Sequence, residues 1–333
     1  MRWQAMEHVL IALRAAAEPT RLRLLALAAG GQFCVTEFAE ILAQSQPRLS
    51  RHLRLLGEAG LLDRAREGAN TWFTLPPVAT PGGALARLLL ARIPEEDPML
   101  AADRRQAARV LAERARVASE SFQRAGADWD EMRALHLPAE AVEDALLEAL
   151  PAHISHLLDI GTGTGALLER VAPRVAAALG VDASRSMLAL ARTRLAKPGL
   201  GHCSVRQGDM YRLPLPDSVF DVVVMQMVLH YAEDLDAALA EAARVLRAGG
   251  RLIVVDLAQH RDQASVRRLA HRWSGFPDTE IVHLLAKAGL AVHKMQTVAG
   301  PLDVRIWSAV HAARPVCADF VSAAHDHDME ATS

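Results

Sequence analysis

The sequence predicts an α/β protein in two parts: a small helical domain that carries a β-hairpin, and a larger Rossmann-like domain built on a parallel sheet. A chain of 333 residues is longer than a single hydrophobic core usually grows, so two domains are expected. Short helical patterns occupy residues 1–75, and a stretch rich in proline and glycine follows them from Pro76. From Leu157 onwards, short apolar runs alternate with amphipathic helices, as they do in βαβ units.

Composition excludes several classes of protein. A formal net charge of −2 argues against a globally basic nucleic-acid coat, although it permits a local basic patch. Three cysteines (Cys34, Cys203 and Cys317) cannot form a disulfide framework, which fits a reducing compartment. Charged residues interrupt the amino terminus, so it is not a signal peptide, and no apolar run reaches the roughly 18–20 residues that span a bilayer. We therefore expect a cytoplasmic protein with no membrane partner.

Two short helices joined by a turn form the central feature of the first domain. Val35–Ala43 places apolar residues on one helical face, and a second helix opens at Gln46-Pro47, with Ser45 as the expected N-cap. The apolar stripe of this second helix, which we expect to be buried, consists of Leu49, Leu53 and Leu56. Its outward face lacks acidic residues and carries Gln46, Arg48, Ser50, Arg51 and Arg54. This geometry is typical of helices that enter a major groove.

A β-hairpin is expected after Gly60. Leu61–Arg66 and Thr71–Leu75 alternate with period two on either side of a short turn, which leaves Arg64 and Arg66 available to contact phosphate. A small helical domain with merely solvated arginines would also explain each feature taken alone. The acid-free helix, its Ser-Gln-Pro opening and the hairpin together favour DNA binding.

Residues 1–95 resemble an ArsR-type winged helix-turn-helix regulator. The motifs that carry the resemblance are Glu18-Pro19-Thr20-Arg21-Leu22, Ser45–Leu53 and Glu58-Ala59-Gly60-Leu61. The resemblance implies a homodimer that pairs through helices at about Trp3–Ala17 and Ala84–Ile93 and reads a nearly palindromic double-stranded DNA operator. The residues implied to contact DNA are Ser45, Gln46, Arg48, Ser50, Arg51, His52, Arg54, Arg64 and Arg66.

The resemblance does not extend to metal sensing. Many relatives bind metal through a Cys-x-Cys pair before the recognition helix, whereas this chain has Cys34-Val35-Thr36. A single thiolate without neighbouring His or carboxylate ligands is a poor site for a soft metal, so Cys34 is interpreted as a buried structural thiol. We expect no metal.

A glycine-rich turn marks the ligand site of the second domain. Leu157–Gly165 runs from a strand into Gly161-Thr162-Gly163-Thr164-Gly165, where the glycines allow a sharp turn and the close approach of a ligand. A dinucleotide site has the same spacing, and Asp182, at the end of the next strand, suits a ribose under either interpretation. Asp159 has no use at a pyrophosphate site but would favour the ammonium group of a methionine-bearing cofactor. Gly208-Asp209-Met210, after the third strand, could bind the edge of adenine.

With Leu213–Asp221 before the fourth strand and Arg244–Gly250 before the fifth, these motifs resemble a class I S-adenosylmethionine-dependent methyltransferase over residues 120–313. The resemblance implies a seven-stranded sheet ending in an antiparallel hairpin, here Leu290–Val298 and Val304–Ala312. It implies S-adenosyl-L-methionine as cofactor and S-adenosyl-L-homocysteine as product. The residues implied to bind them are Asp159, Gly161, Thr162 and Gly163 at the methionine end, Asp182 at the ribose, Ala183, Met187, Asp209 and Met210 at the adenine, and Gln226 beside the methionine.

The acceptor side of this site is less well marked. Because the sulfonium is already activated, the protein needs mainly to align the acceptor, and a general base is needed only where the acceptor must lose a proton. The weak candidates are His230 and Tyr231, with His260 and His271 as further ones, although a capping or packing role explains each of them more simply. Trp129–His136 could form a lid. Arsenite methylation is set aside, because it requires several thiolates.

These boundaries divide the chain into a DNA-binding and dimerisation domain (1–95), a solvated helical linker (96–126), a methyltransferase domain (127–313) and a flexible tail (314–333). The predicted function is a DNA-binding transcriptional regulator that also transfers a methyl group from S-adenosylmethionine to a small-molecule acceptor. The alternative is a non-catalytic transcription factor that senses S-adenosylmethionine or S-adenosylhomocysteine. Methylation of nucleic acid is disfavoured, since Met225-Gln226-Met227-Val228 stands where amino-directed base methylases carry Asp/Asn-Pro-Pro-Tyr.

Overall fold

The computed structural model of the chain describes residues 2–94, 96–125 and 131–311. The elements of its amino-terminal part are α1 (Arg2–Ala16), α2 (Pro19–Gly30), β1 (Phe33–Cys34), α3 (Val35–Leu42), α4 (Gln46–Glu58), β2 (Asp63–Glu67), β3 (Asn70–Thr74), α5 (Pro81–Leu90) and the long α6 (Pro98–Ala125). The three strands form an antiparallel sheet in the order β1-β3-β2. The predicted helix-turn-helix with a hairpin is confirmed.

The helix-turn-helix consists of α3 and α4. α3 ends at Ala43, which adopts a left-handed conformation (φ 52°), and α4 starts at Gln46 with Pro47 in its first turn. Ser45 occupies the N-cap position as predicted, although its side chain makes no capping hydrogen bond. The stripe of leucines predicted to be buried is buried in the domain core: Leu49, Leu53 and Leu56.

The hairpin starts later than its alternating pattern predicts. β2 pairs with β3 from Asp63 opposite Thr74 to Glu67 opposite Asn70. Leu61 and Leu62 lie before the strand. Both side chains are buried in the domain core, so these two neighbours do not follow the alternation of a strand. Gly68 lies in the turn with φ +59°, a conformation that glycine adopts without steric cost.

The carboxy-terminal part is a seven-stranded mixed sheet covered by helices. Its helices and strands are α7 (Glu131–Ala134), α8 (Ala139–Ala149), β4 (Ile154–Ile160), α9 (Ala166–Val171), β5 (Val175–Asp182), α10 (Arg185–Leu195), β6 (Cys203–Gln207), β7 (Phe220–Gln226), α11 (Leu235–Val245), β8 (Leu246–Leu257), α12 (Gln263–Arg268), α13 (Asp278–Lys287), β9 (Leu290–Val298) and β10 (Val304–His311). The strand order is β6-β5-β4-β7-β8-β10-β9. β4 to β8 are parallel, and β10 runs antiparallel to both of its neighbours. The predicted Rossmann-like fold with a terminal antiparallel hairpin is confirmed.

Each face of this sheet carries a hydrophobic core. Neighbouring residues of one strand, such as Leu157 and Leu158 or Val222 and Val223, belong to the two different cores, as the pleat requires. Because helices cover both faces, ligands are expected in the crevice outside the carboxyl ends of the parallel strands. Within the described ranges, no helix is both long and apolar enough to cross a membrane.

The long helix α6 is not the solvated linker that its composition predicts. Along its length Leu100, Ala107, Val110 and Ala118 are buried. One side of the helix contacts α2 and α3, and it also packs against α10 of the carboxy-terminal part. The charged side chains that made α6 look solvated include Asp103 and Arg114, which form ion pairs with Arg23 and Glu37.

Candidate functional site

The glycine-rich turn follows β4 and is fastened to the neighbouring strand. Gly161 and Gly163 have φ +77° and +53°, and the N–H groups of Gly161 and Thr162 donate to the Val181 carbonyl at 2.8 and 3.1 Å. A Cβ on Gly161 would lie 2.4 Å from a methyl group of Val228, so the turn leaves no room for a side chain there. A Cβ on Gly163 would meet nothing within 4 Å. Gly163 therefore faces open space, where a ligand can approach the backbone.

Asp182 ends β5 and holds the turn from the side. One carboxylate oxygen accepts a hydrogen bond from Gly163 N–H at 2.8 Å, and the other accepts from Ser184 N–H at 2.8 Å. Burial raises the pKa of Asp182 above its ordinary value, and these two backbone hydrogen bonds oppose that rise. The structure thus brings Asp182 together with the glycine turn, as the ribose assignment requires.

Asp159 is the second acid at this place and is only 2% exposed. Burial raises its pKa to about 7, the Thr162 hydroxyl opposes the rise, and the charge of Asp182 adds to it. Within the described part of the chain, no Arg, Lys or His forms an ion pair with Asp159. A buried carboxylate near a second acid, and without a cation of its own, favours a ligand that brings positive charge.

The remaining residues of the implied cofactor site lie at the same end of the sheet. Gly208 N–H donates to the Asp182 carbonyl at 3.1 Å, which brings the 208–210 loop to the end of β5. Asp209 is exposed and accepts a hydrogen bond from Tyr211 N–H at 3.0 Å, whereas Met210 packs partly against the core. Ala183 is exposed, Met187 is half-buried in the first turn of α10, and Gln226 ends β7.

Two histidines and a tyrosine form a cluster where β7 and β8 end. His230 is fully buried, its Nδ1 lies 2.7 Å from Asp256 Oδ1, and its ring lies 4.1 Å from that of His271. Asp256 also accepts hydrogen bonds from the backbone N–H groups of Leu229 and Leu257. Of the two weak catalytic candidates, Tyr231 is exposed, whereas His230 has no surface with which to contact a substrate. Asp256 and His230 therefore position the turn that follows β7.

Of the other residues considered for the acceptor side, His271 belongs to this cluster and His260 lies near it. Burial lowers the pKa of the half-buried His260, Asp262 opposes that change, and the neighbouring His271 and His230 add to it. Met132 packs against the core under the sheet, and His136 is exposed. Trp129, which completed the expected lid, lies outside the described residues, as do Cys317 and the rest of the tail.

The outward face of α4 is as polar and exposed as the sequence predicts. The exposed side chains are Ser45, Gln46, Arg48, Ser50, Arg51 and Arg54. A groove of about 750 Å³ runs between α4 and the hairpin, and Ser50, Arg54 and Arg64 line it together. Arg66 is exposed on the same strand as Arg64. Glu58 and Asp63 also line the groove, and Glu58 lies 3.8 Å from Arg54. The structure therefore groups basic residues from both elements on one surface, which carries two acids as well.

His52 differs from the other residues implied to contact DNA. Its side chain is only 14% exposed, and Nδ1 lies 3.8 Å from Glu18 and 3.4 Å from Arg21 Nη1. Burial lowers the pKa of His52, and the Glu18 carboxylate opposes that change. His52 thus links α4 to the start of α2 and does not share the outward face of α4.

A third set of residues was not anticipated from the sequence: it joins the two parts of the chain. Glu67 at the tip of the hairpin forms a buried ion pair with Arg192 of α10, and Arg192 stacks on Trp72. The sequence does contain one signal of this contact. Arg192 falls between Leu188 and Leu195 on the buried face of α10, where an arginine requires a buried partner.

Comparison with protein families matches each part separately. Residues 18–64 match the family of bacterial regulatory proteins called the arsR family, and residues 158–254 match a methyltransferase domain family. The first match includes the helix-turn-helix (α3 and α4). The second runs from β4 into β8 and includes the glycine-rich turn.

Curated relatives match part of the chain. The uncharacterized methyltransferase YcgJ of Bacillus subtilis is 35% identical over 100 residues, which are 30% of this chain and 40% of that protein. A demethylmenaquinone methyltransferase of Tropheryma whipplei is 39% identical over 105 residues, covering 32% of this chain and 43% of that protein. The chain thus spans about two fifths of the length of these relatives.

A solved structure shares the fold of part of the chain. A chain from the complex between the Haloferax volcanii Trm112 methyltransferase activator and a methyltransferase superposes with a TM-score of 0.51 at 19% identity. The match covers 59% of this chain and 97% of that one. At this level of identity the likeness establishes the fold alone.

Proposed function

We propose that this chain, in which an ArsR-family helix-turn-helix is joined to a class I methyltransferase domain, binds DNA and transfers a methyl group from S-adenosylmethionine to a small-molecule acceptor. The observation that supports the cofactor most strongly is the buried Asp159, which lies with the half-buried Asp182 beside the open glycine turn. Asp159 has no cation of its own within the described residues, and Gly163 faces open space. A ligand with a cationic methionine end and a ribose fits both features.

The residues present fit this cofactor part by part. Asp159 and the turn from Gly161 to Gly163 would hold the methionine end of the cofactor. The carboxylate would balance the positive charge of the ammonium group, and the glycines would leave room for the amino-acid atoms of the methionine. Asp182 would accept hydrogen bonds from the ribose hydroxyls. Ala183, Met187, Asp209 and Met210 would bind the adenine, and Gln226 would line the methionine side. When bound, the cofactor supplies an activated methyl group.

The contribution of the protein to transfer is orientation. Holding the acceptor in line with the methyl–sulfur bond accounts for several kcal/mol of rate acceleration in reactions of this kind. Asp256 and His230 fix the turn after β7, and the exposed Tyr231 belongs to that turn. We propose that this turn borders the acceptor and that no residue acts as an obligatory base.

The DNA-binding role is proposed for a homodimer. α1 exposes several large apolar side chains on the amino-terminal part: Met6, Val9, Leu10, Ile11 and Leu13. Burying such a face against a second copy would remove it from water and place two α4 helices on one duplex. We propose that the protein acts in the cytoplasm, because both the DNA and the S-adenosylmethionine that it would use are present there.

The second candidate is a transcription factor that senses the cofactor or its product without turnover. The burial of His230 and the contact between the hairpin and the methyltransferase domain favour this candidate. Incubating the purified chain with methyl-labelled S-adenosylmethionine and a metabolite extract separates the two. Label in a small molecule supports transfer; binding of both nucleosides with no labelled product after repeated trials would leave sensing as the function.

A further inference from the structure

The tip of the hairpin is buried against the methyltransferase domain. The side chain of Glu67 is 4% exposed and that of Arg192 is 2% exposed, and one guanidinium nitrogen lies 2.6 and 2.7 Å from the two carboxylate oxygens. The Trp72 ring, also on the hairpin, lies 3.7 Å from the centre of the same guanidinium. Both charges are therefore satisfied only while the hairpin is docked.

The docked hairpin also covers the free edge of the large sheet. β6 is an edge strand, and its outward N–H groups need partners. Gln207 N–H donates to Glu67 at 2.8 Å, and Val205 N–H donates to the side chain of Gln32 at 3.0 Å. Both acceptors belong to the DNA-binding part, so this contact completes the sheet and is specific in register.

A short chain of hydrogen bonds leads from the hairpin to the nucleoside residues. The side chain of Gln207 donates to the Ala183 carbonyl at 3.1 Å and accepts from Arg185 Nε at 3.2 Å. Arg185 in turn lies over the hairpin turn, since a Cβ on Gly68 would be 2.4 Å from its guanidinium. Gln207 is followed directly by Gly208, whose N–H is bonded to the Asp182 carbonyl. The loops implied to hold ribose and adenine are thus the loops that hold the hairpin.

We propose that the hairpin is a latch: nucleoside binding and docking of the hairpin on the methyltransferase domain favour each other. Arg64, Arg66 and the outward face of α4 stay exposed in the docked state, so the latch leaves that surface accessible. This inference rests on the proposed cofactor site. Residues 182–187 and 207–210 include the residues that contact the docked hairpin. A ligand that orders these residues therefore stabilises the docked state. The carboxylate of Glu67 suits this role, since its pairing with Arg192 exists only in the docked state.

The test measures hydrogen exchange of the hairpin amides in the full-length protein, with S-adenosylhomocysteine as the probe and its affinity measured in parallel by calorimetry. In the wild type the ligand slows exchange of residues 66–71 about tenfold, a typical size for coupling between two sites. Glu67→Lys places two cations in contact, so the hairpin exchanges freely and no longer responds to the ligand. Glu67→Lys combined with Arg192→Glu reverses the pair and restores both protection and response. Protection elsewhere in the chain reports that each variant is folded.

A second measurement follows the reciprocal effect by calorimetry, because two coupled sites change each other's free energy equally. Glu67→Lys weakens binding of S-adenosylhomocysteine about tenfold, and the charge-reversed double variant restores it. Equal ligand affinity in the wild type and Glu67→Lys, or unchanged hairpin protection in that variant, overturns the latch. Calorimetric binding of the ligand with no change in hairpin exchange also overturns it while leaving the cofactor site intact. Absence of ligand binding removes the cofactor site and the latch together.

Discussion

Two of the buried carboxylates of the chain lie in contrasting surroundings. Glu67 has its cation within the chain, with Arg192 2.6 Å away and Trp72 beside it. Asp159 is equally inaccessible but faces a second acid, and burial raises its pKa to about 7. The first arrangement is complete and holds two parts of the chain together. The second is electrostatically incomplete, so it costs stability in the isolated protein and gains a partner when a cationic ligand binds.

The largest expected effect comes from breaking the complete pair. Arg192→Ala leaves Glu67 without its cation in a buried site, which costs about 3–5 kcal/mol of stability for such pairs. Urea denaturation monitored by circular dichroism measures the free energy of unfolding. Arg194→Ala is the control: Arg194 lies on the same helix as Arg192, is partly exposed and pairs with Glu169 of α9, so its removal should cost about 0–1 kcal/mol. Equal losses for both variants would show that the Glu67–Arg192 contact contributes no more than a surface pair.

Removing the charge of Asp159 should affect the free energy of unfolding in the opposite direction from breaking the Glu67–Arg192 pair. Asp159→Asn relieves an unpaired buried acid, so the free protein keeps or gains stability, while affinity for S-adenosylmethionine falls. A hydrogen bond to a charged group is worth about 1.5–3 kcal/mol, which corresponds to roughly 10- to 100-fold in affinity. Thermal melting and calorimetric titration measure the two effects. Asp217→Asn, on an exposed loop, is the control, and a variant of Asp159 that binds normally would contradict the assignment.

The pH dependence of stability sharpens the same contrast. Because the folded pKa of Asp159 is about 7 and its ordinary value is 3.8, the folded protein binds more protons than the unfolded chain between these values. Asp159 therefore makes stability fall as pH rises from about 4 to about 7, by at most about 1.4 kcal/mol per pH unit. Above pH 7 its contribution is constant. Urea titrations of the wild type and Asp159→Asn across this range should diverge with that sign; parallel curves would rule out the raised pKa.

The smallest effects are expected on the proposed DNA-binding surface, where the arginines are exposed. Arg48→Ala and Arg51→Ala should each weaken binding to a random-sequence duplex and lower the salt dependence by about one unit of slope if they contact phosphate. His52→Ala should instead lower stability by about 1 kcal/mol, since its ring links α4 to Glu18. Fluorescence anisotropy against salt concentration measures the slopes. If the His52 variant loses more DNA affinity than the arginine variants, His52 contacts DNA and the proposed roles of His52 and the arginines are wrong.

The sequence predicted the parts whose evidence is contiguous. The glycine turn with Asp159, the α3–α4 turn and the strand Cys203–Gln207 each lie within a short stretch, and the structure has them at those positions. The leucine stripe of α4 was predictable for the same reason, because periodicity within one helix fixes its buried face.

Contacts between distant segments could not be predicted in this way. Glu67 and Arg192 are separated by 125 positions, and no local pattern connects an acid in a hairpin with an arginine in a later helix. Likewise α6 has the composition of a solvated helix, and its buried face becomes evident only once α2, α3 and α10 are packed around it. His52 shows the converse: its motif implies an outward role, and the packing against Glu18 turns it inward.

The central claim is that the acids at the ends of β4 and β5 bind a sulfonium nucleoside. Calorimetric titration of the wild type and of Asp182→Ala with S-adenosylmethionine tests it most directly, with NAD as the competing ligand. We expect one nucleoside to bind per chain, most of that affinity to be lost in the variant, and NAD to give no heat of binding. Binding of NAD in place of S-adenosylmethionine, or equal affinity in the variant, would contradict the claim.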